Sequence, residues 1–219
     1  MPRALVTGAN RGIGLEMTRQ LVAAGWEVIA ACRTRSIDLD ALEVQVEELD
    51  VADDESVRRL GERLQGVHLD LLVNNAGILD RDGLDPLDLE SIRRQFEVNA
   101  LGPLKVTAAL LGNLGEGSRI VLVTSRMGSI ADNTSGGYYG YRMSKAALNA
   151  AGVSLARDLE AKGIAVLLVH PGFVKTEMTG GRGTVEPGDA ARGILTRIGE
   201  LDPKESGSFR HADGSPLPW

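Results

Sequence analysis

Short apolar runs alternate with longer amphipathic stretches along the whole chain. ALVT (Ala4–Thr7), EVIAAC (Glu27–Cys32) and EVQVEEL (Glu43–Leu49) are the first three runs, the third with apolar residues at alternate positions. LDLLVNN (Leu69–Asn75), RIVLVTS (Arg119–Ser125) and IAVLLVH (Ile164–His170) follow, and GSFR (Gly207–Arg210) closes the series. Between them the spacing predicts helices near Ile13–Ala24, after the capping pair Asp53-Asp54, and over Leu89–Leu114 with a break near Gly102-Pro103. Two more are expected over Tyr141–Lys162, where Ala147, Leu148, Ala151, Leu155 and Leu159 recur at helical intervals, and over Asp189–Leu201. Near-continuous apolar strands are buried on both faces, which indicates a parallel sheet. With right-handed crossovers the expectation is an α/β fold: a doubly wound sheet of about seven strands with helices on both faces. No linker or repeat interrupts the alternation, so residues 1–219 are expected to form a single domain.

Composition narrows the class. The formal charge of −6 argues against a nucleic-acid surface. No apolar run approaches the roughly 20 residues of a membrane span. MPRALVTGAN enters a strand directly, without the pattern of a signal peptide. Cys32 is the one cysteine, so no internal disulfide forms. His68, His170 and His211 lack ligand spacing, and no metal site is expected. These features fit a cytoplasmic enzyme or binding domain.

In such a sheet, ligands bind beyond the carboxyl ends of the strands. The first end carries TGANRGIG (Thr7–Gly14), whose Gly8, Gly12 and Gly14 suit a tight turn that lets backbone N–H groups reach a pyrophosphate at a helix start. Other ends carry Leu49-Asp50-Val51, Asn74-Asn75-Ala76-Gly77, Thr124-Ser125, and His170 running into Pro171-Gly172-Phe173-Val174-Lys175-Thr176. Each alone is ordinary turn chemistry. Together they line one edge of the sheet.

TGANRGIG, LDV, NNAG, VNA, the TS at strand five, YRMSK and PGFVKT occur in an order that resembles the short-chain dehydrogenase/reductase superfamily, over nearly the whole chain. SRMGSIADNTSGGYYGYRMSKAALN further resembles its C-factor-like and sniffer-like carbonyl reductase subgroup. The resemblance implies a Rossmann-type dinucleotide-binding fold and oxidoreduction of a small-molecule carbonyl or alcohol. It also implies a homodimer or homotetramer, for which Tyr141–Lys162 is a candidate helix.

All three tyrosines, Tyr138, Tyr139 and Tyr141, lie in GGYYGYRMSK. Residues i and i+4 share a helix face. Tyr141 then faces Lys145, Tyr139 faces Met143, and Tyr138 follows two glycines that could precede the helix. A free phenol titrates near 10. A unit charge about 4 Å away supplies about 4 kcal/mol at an effective dielectric near 20, which is the size needed to bring it near neutrality. Tyr141 is therefore the expected acid/base, in agreement with the family motif YxxxK. By resemblance Ser125 is the substrate-binding serine, with Ser129 and Ser135 as runners-up, and Asn99 helps hold a water that connects the lysine to solvent.

A 2′-phosphate needs cations, whereas a free ribose diol prefers an acid. Cys32 stands where NAD-preferring relatives place an aspartate; Arg33 follows it, and Arg11 sits in the glycine turn. NADP(H) is therefore expected over NAD(H), with Arg35 as a third partner and Asp38 and Asp40 as competing counter-ions. Asn10 and Ile13 belong to the same cofactor turn. By resemblance Asp50 and Val51 contact the adenine, and Asn75, Ala76 and Gly77 border the ribose. Pro171, Gly172, Val174 and Thr176 hold the carboxamide, and Lys145 also meets the nicotinamide ribose. A short, Gly-rich substrate loop is expected at about 177–188. Two other readings stand beside the reductase: a dinucleotide-binding signalling or sensor protein with little turnover, and a nucleotide-dependent transferase, against which the joint presence of YRMSK and PGFVKT argues.

Overall fold

The computed structural model describes residues 1–219. Seven strands form one sheet: β1 (Arg3–Thr7), β2 (Glu27–Cys32), β3 (Gln45–Glu48), β4 (Leu71–Asn74), β5 (Arg119–Val123), β6 (Ala165–His170) and β7 (Ser208–His211). Their spatial order is β3-β2-β1-β4-β5-β6-β7, and every pairing is parallel. The order reverses between β1 and β4, which is where a doubly wound sheet opens a crevice.

The helices are α1 (Gly12–Ala23), a single turn α2 (Ile37–Asp40), α3 (Asp54–Arg63), α4 (Leu89–Phe96), α5 (Gly102–Ala109), α6 (Tyr139–Leu159) and α7 (Pro187–Glu200). Alternation along the strands sorts them into two layers. Ala4 and Val6 of β1 point to one face and pack in a core with Met17 and Leu21 of α1 and Ile194 and Ile198 of α7. Leu5 between them points to the other face, into a core with Leu60 of α3, Val106 of α5, and Leu148 and Leu159 of α6. Each fully buried leucine of this kind contributes about 1.5–3 kcal/mol.

The sequence predicts one long helix over Leu89–Leu114 with a break near Gly102-Pro103. The structure instead has α4, a five-residue π-helical segment at Glu97–Leu101, then α5. Proline has no N–H, so Pro103 cannot bond the carbonyl of Asn99 four residues back, and the turn widens there. That places Asn99, fully buried, in the widened turn. No helix is long and apolar enough to cross a membrane.

Candidate active site

The C-terminal ends of β1, β2, β4, β5 and β6 surround a cavity of about 370 Å³. Gly8, Asn10, Arg11, Gly12 and Ile13 of the first turn line it. Gly8 (φ 65°) and Gly12 (φ 53°) adopt left-handed backbone that other residues resist. A Cβ on Gly8 would also sit 3.0 Å from Ala76 Cα. Gly14 works differently. It does not line the cavity; a Cβ there would run into the Gly8 carbonyl oxygen, so this glycine lets α1 pack against the turn. Asn10 donates from Nδ2 to the Thr34 carbonyl at 2.9 Å, which ties the turn to the end of β2.

One hydroxyl joins the two strands flanking the crevice. Thr7 Oγ1 accepts from the backbone N–H of Asn75 and of Ala76, each at 3.0 Å. Asn75 Nδ2 returns a bond to the Thr7 carbonyl at 2.9 Å. Asn75, Ala76 and Gly77 are thereby fixed along the cavity wall, with Asp50 and Val51 beside them. Gly77 packs closely here: a Cβ on it would lie 3.2 Å from Asn99 Oδ1 and 3.7 Å from Lys145 Nζ.

Tyr141 and Lys145 also line the cavity and are almost completely buried. They share a face of α6, as the spacing predicts, with Nζ 5.8 Å from the phenol centroid. Lys145 Nζ donates to the Val123 carbonyl at the end of β5, at 2.8 Å. One turn further along α6, Asn149 Oδ1 accepts from the Thr124 hydroxyl at 2.6 Å. Two bonds thus fix this face of the helix to β5. Tyr138 precedes α6 in left-handed conformation, at the helix cap.

The electrostatics differ from the expectation for Tyr141. Burial pushes its phenol up, an effect only partly offset by the Ser125 hydroxyl. The neighbouring ammonium does not reverse this. Burial also pulls Lys145 down to about 8, because a desolvated charge is disfavoured.

Ser125 and Asn99 do not line the cavity; they flank it. Ser125 is buried, and its Oγ accepts from the Met127 N–H at 3.1 Å. Asn99 Oδ1 accepts from the Ile78 N–H at 2.8 Å, and its Nδ2 donates to the Ile78 carbonyl at 2.9 Å and to Ser144 Oγ at 3.0 Å. It therefore clamps the chain after β4 to α6.

Of the residues expected after β6, Pro171 and Thr176 line the cavity, whereas Gly172 and Val174 do not. Val174 is buried in a bridge to Val185, and Gly172 turns the chain at φ 92° under the same valine. They shape the wall from behind. The segment Glu177–Thr179 is a short 3₁₀ turn.

At the other end, Arg33 lines the cavity and forms no ion pair. Arg11 is occupied: its Nη1 donates to Glu177 Oε2 at 2.6 Å, across the cavity mouth. Arg35 lies 3.8 Å from Asp40, while Asp38 pairs with Arg19 at 3.0 Å. Cys32 is buried at the cavity edge, and burial pushes its thiol up.

Several contributors escaped the sequence reading or had no role assigned to them there. Thr34 and Glu177 line the cavity, and Gly128 lets the loop after β5 approach α6, since a Cβ there would sit 2.7 Å from the Lys145 carbonyl carbon. Glycine in the turn SRMGS is the one signal that could have revealed Gly128.

The family model for short chain dehydrogenases matches residues 2–186. The chain is 45% identical over 226 aligned residues to 1-hydroxy-2-glutathionyl-2-methyl-3-butene dehydrogenase of Rhodococcus sp. (strain AD45), covering 100% of both chains. It is 47% identical over 154 residues to the C-signal protein of Myxococcus xanthus, covering 69% of this chain and 93% of that one. The solved structure of an NADPH-bound carbonyl reductase from chicken fatty liver superposes with a TM-score of 0.91 at 31% identity, covering 100% of this chain and 99% of the other. The fold, the strand-end constellation and these similarities agree: the chain belongs to the short-chain dehydrogenase/reductase family, as an oxidoreductase.

Proposed function

We propose that the protein is an NADP(H)-dependent carbonyl reductase in which Tyr141 is the general acid/base, assisted by Lys145, Ser125 and Asn99. The observation that carries this reading is a buried Tyr141–Lys145 pair at the crevice where the sheet order reverses. Burying a lysine is costly, so one lodged in a cleft beside a tyrosine points to a functional site.

The cavity suits a dinucleotide. Gly8 lets the turn lie close against Ala76, where a Cβ would come within 3.0 Å of its Cα, and the start of α1 at Gly12 and Ile13 has no side-chain cap for its N–H groups. Gly8, Asn10, Gly12 and Ile13 would hold the pyrophosphate region, with Gly14 supporting the turn and Arg11 reaching for the 2′-phosphate. Arg33 would meet a 2′-phosphate, Asp50 and Val51 the adenine, and Asn75, Ala76 and Gly77 the ribose. Pro171 and Thr176, backed by Gly172 and Val174, would border the carboxamide. NADP(H) is favoured over NAD(H) because Arg33 lines the cavity unpaired and no carboxylate ends β2; the NADPH-bound chicken structure supports the same choice.

The cofactor supplies or accepts a hydride. The rest is the work of this chain's side chains. The raised pKa of Tyr141 keeps its phenol protonated at neutral pH, so it serves as a proton donor to a carbonyl oxygen. The Ser125 hydroxyl, next to it, binds the same oxygen. Lys145, charged below about pH 8, stabilises the phenolate as the proton leaves. Asn99 holds Ile78 and Ser144 in place around it.

The substrate is a small-molecule carbonyl or alcohol, and the cytoplasm is the compartment the single reduced cysteine suits. The signalling alternative is less well supported, because a sensor that only holds the dinucleotide needs the glycine turn but not the proton of a buried Tyr141. A panel of aldehydes and ketones with NADPH and NADH, followed at the nicotinamide absorbance, tests the proposal. Turnover faster with NADPH is expected; no turnover with either cofactor contradicts it.

A further inference from the structure

The catalytic helix begins in an unusual way. Tyr138, at its N-cap position, lies in the left-handed region (φ 53°, ψ 44°), and its side chain caps nothing. It is the only non-glycine residue in the chain with positive φ. A helix start normally recruits a side chain from its own cap residue to satisfy the first N–H groups. Here the acceptor comes from elsewhere in the chain. The Gly140 N–H donates to both carboxylate oxygens of Asp82, at 3.0 and 3.2 Å, and the Tyr138 N–H donates to the Asp82 carbonyl at 3.1 Å.

Asp82 is itself held. Gln95, fully buried on α4, donates from Nε2 to Asp82 Oδ2 at 2.8 Å and accepts the Asp80 N–H on Oε1 at 3.0 Å. Arg94 and Ser91 fasten the Asp80 carboxylate at 2.6 and 3.2 Å. There is no slack at the junction: a Cβ on Gly140 would lie 2.6 Å from both Asp82 Oδ2 and Gln95 Nε2, and 2.9 Å from Ile92 Cα. An anion at a helix N-terminus is also electrostatically favoured.

Tyr141 is the next residue after Gly140. We propose that Asp82, clasped by Gln95, is a positioning residue that sets the depth and rotation of Tyr141 by gripping the start of α6. This inference rests on the reading of Tyr141 as the acid/base. Asp82 touches no reacting atom; it acts through the Gly140 N–H. It joins the segment that follows Gly77 to the helix that carries the acid, so the start of α6 is held against the chain that leaves β4. A displacement of about 1 Å at a reacting group costs up to about 100-fold in rate.

The test compares Asp82→Ala, Asp82→Asn and Gln95→Leu with the wild-type full chain. The readouts are kcat and KM for a carbonyl substrate, NADPH Kd by nicotinamide fluorescence, and amide hydrogen exchange at Gly140. Asp82→Ala and Gln95→Leu should lower kcat at least 10-fold and expose the Gly140 amide, with NADPH Kd within 2-fold of wild type. Asp82→Asn keeps an oxygen facing the Gly140 N–H and should recover kcat to within about 3-fold. If Asp82→Ala keeps kcat, or if Ala and Asn lose kcat and NADPH affinity alike, the proposal is overturned. A wild-type chain without carbonyl turnover whose Gly140 protection still depends on Asp82 upholds the clasp and refutes the reductase reading instead.

Discussion

Lys145 reaches past the Tyr141 ring, 5.8 Å from its centroid, to donate to the Val123 carbonyl at 2.8 Å. The ammonium is thus held by β5 and by α6 at once, in a place where burial lowers its pKa to about 8 from an ordinary 10.5.

That arrangement has a stability cost with a defined sign. The unfolded chain binds the Lys145 proton more tightly than the folded one, so the cost is full below about pH 8 and fades as pH rises toward 10.5. Lys145→Met should therefore stabilise the fold at pH 7, by roughly 1–3 kcal/mol once the lost bond to Val123 is counted. The same variant should lose turnover. Urea denaturation at pH 7 and pH 9 checks this: the advantage of the variant should shrink at the higher pH.

Arg33 and Arg11 should act differently on cofactor choice. Arg33→Ala removes an unpaired cation from the cavity, and kcat/KM for NADPH should fall about 10-fold or more while that for NADH changes little. Arg11 must release Glu177 before meeting a phosphate. An exposed ion pair is worth about 1 kcal/mol at most. Glu177→Gln should therefore tighten NADPH binding by less than about 5-fold and leave NADH unchanged. Titration of both variants with both dinucleotides reads these effects.

Gly14→Ala should be more damaging than its remoteness from the cavity suggests. Its Cβ would meet the Gly8 backbone oxygen, which cannot swing aside as a side chain could. Overpacking of this kind costs about 1–3 kcal/mol, and here it also opens the turn. Thermal melting and NADPH binding should both suffer, whereas Gly25→Ser, which meets no neighbouring atom but is strained by φ 80°, should lower the melting temperature and leave NADPH binding unchanged.

Much of this was legible in the sequence because it is local. Apolar runs mark β1, β2, β4, β5 and β6, and the i, i+4 spacing puts Tyr141 over Lys145. Strand-end polar residues from Asp50 to Thr176 collect along one cleft. What escaped is non-local or energetic. The Asp82–Gly140 and Arg11–Glu177 contacts join residues 58 and 166 positions apart and leave no local pattern. Pro103 suggests a break but not a π turn five residues long. The direction of the Tyr141 shift also depended on burial, which outweighs the lowering effect of the Ser125 hydroxyl. Gly172 and Val174 match the family motif yet face Val185 rather than the cleft.

Tyr141→Phe is the most direct measurement. The phenyl ring keeps the packing of a buried side chain and removes the hydroxyl that carries the transferable proton. The account predicts a fall in kcat of about 100- to 10,000-fold, the usual worth of a positioned general acid, with NADPH Kd within about 2-fold of wild type. A variant that keeps more than a tenth of wild-type kcat would contradict it.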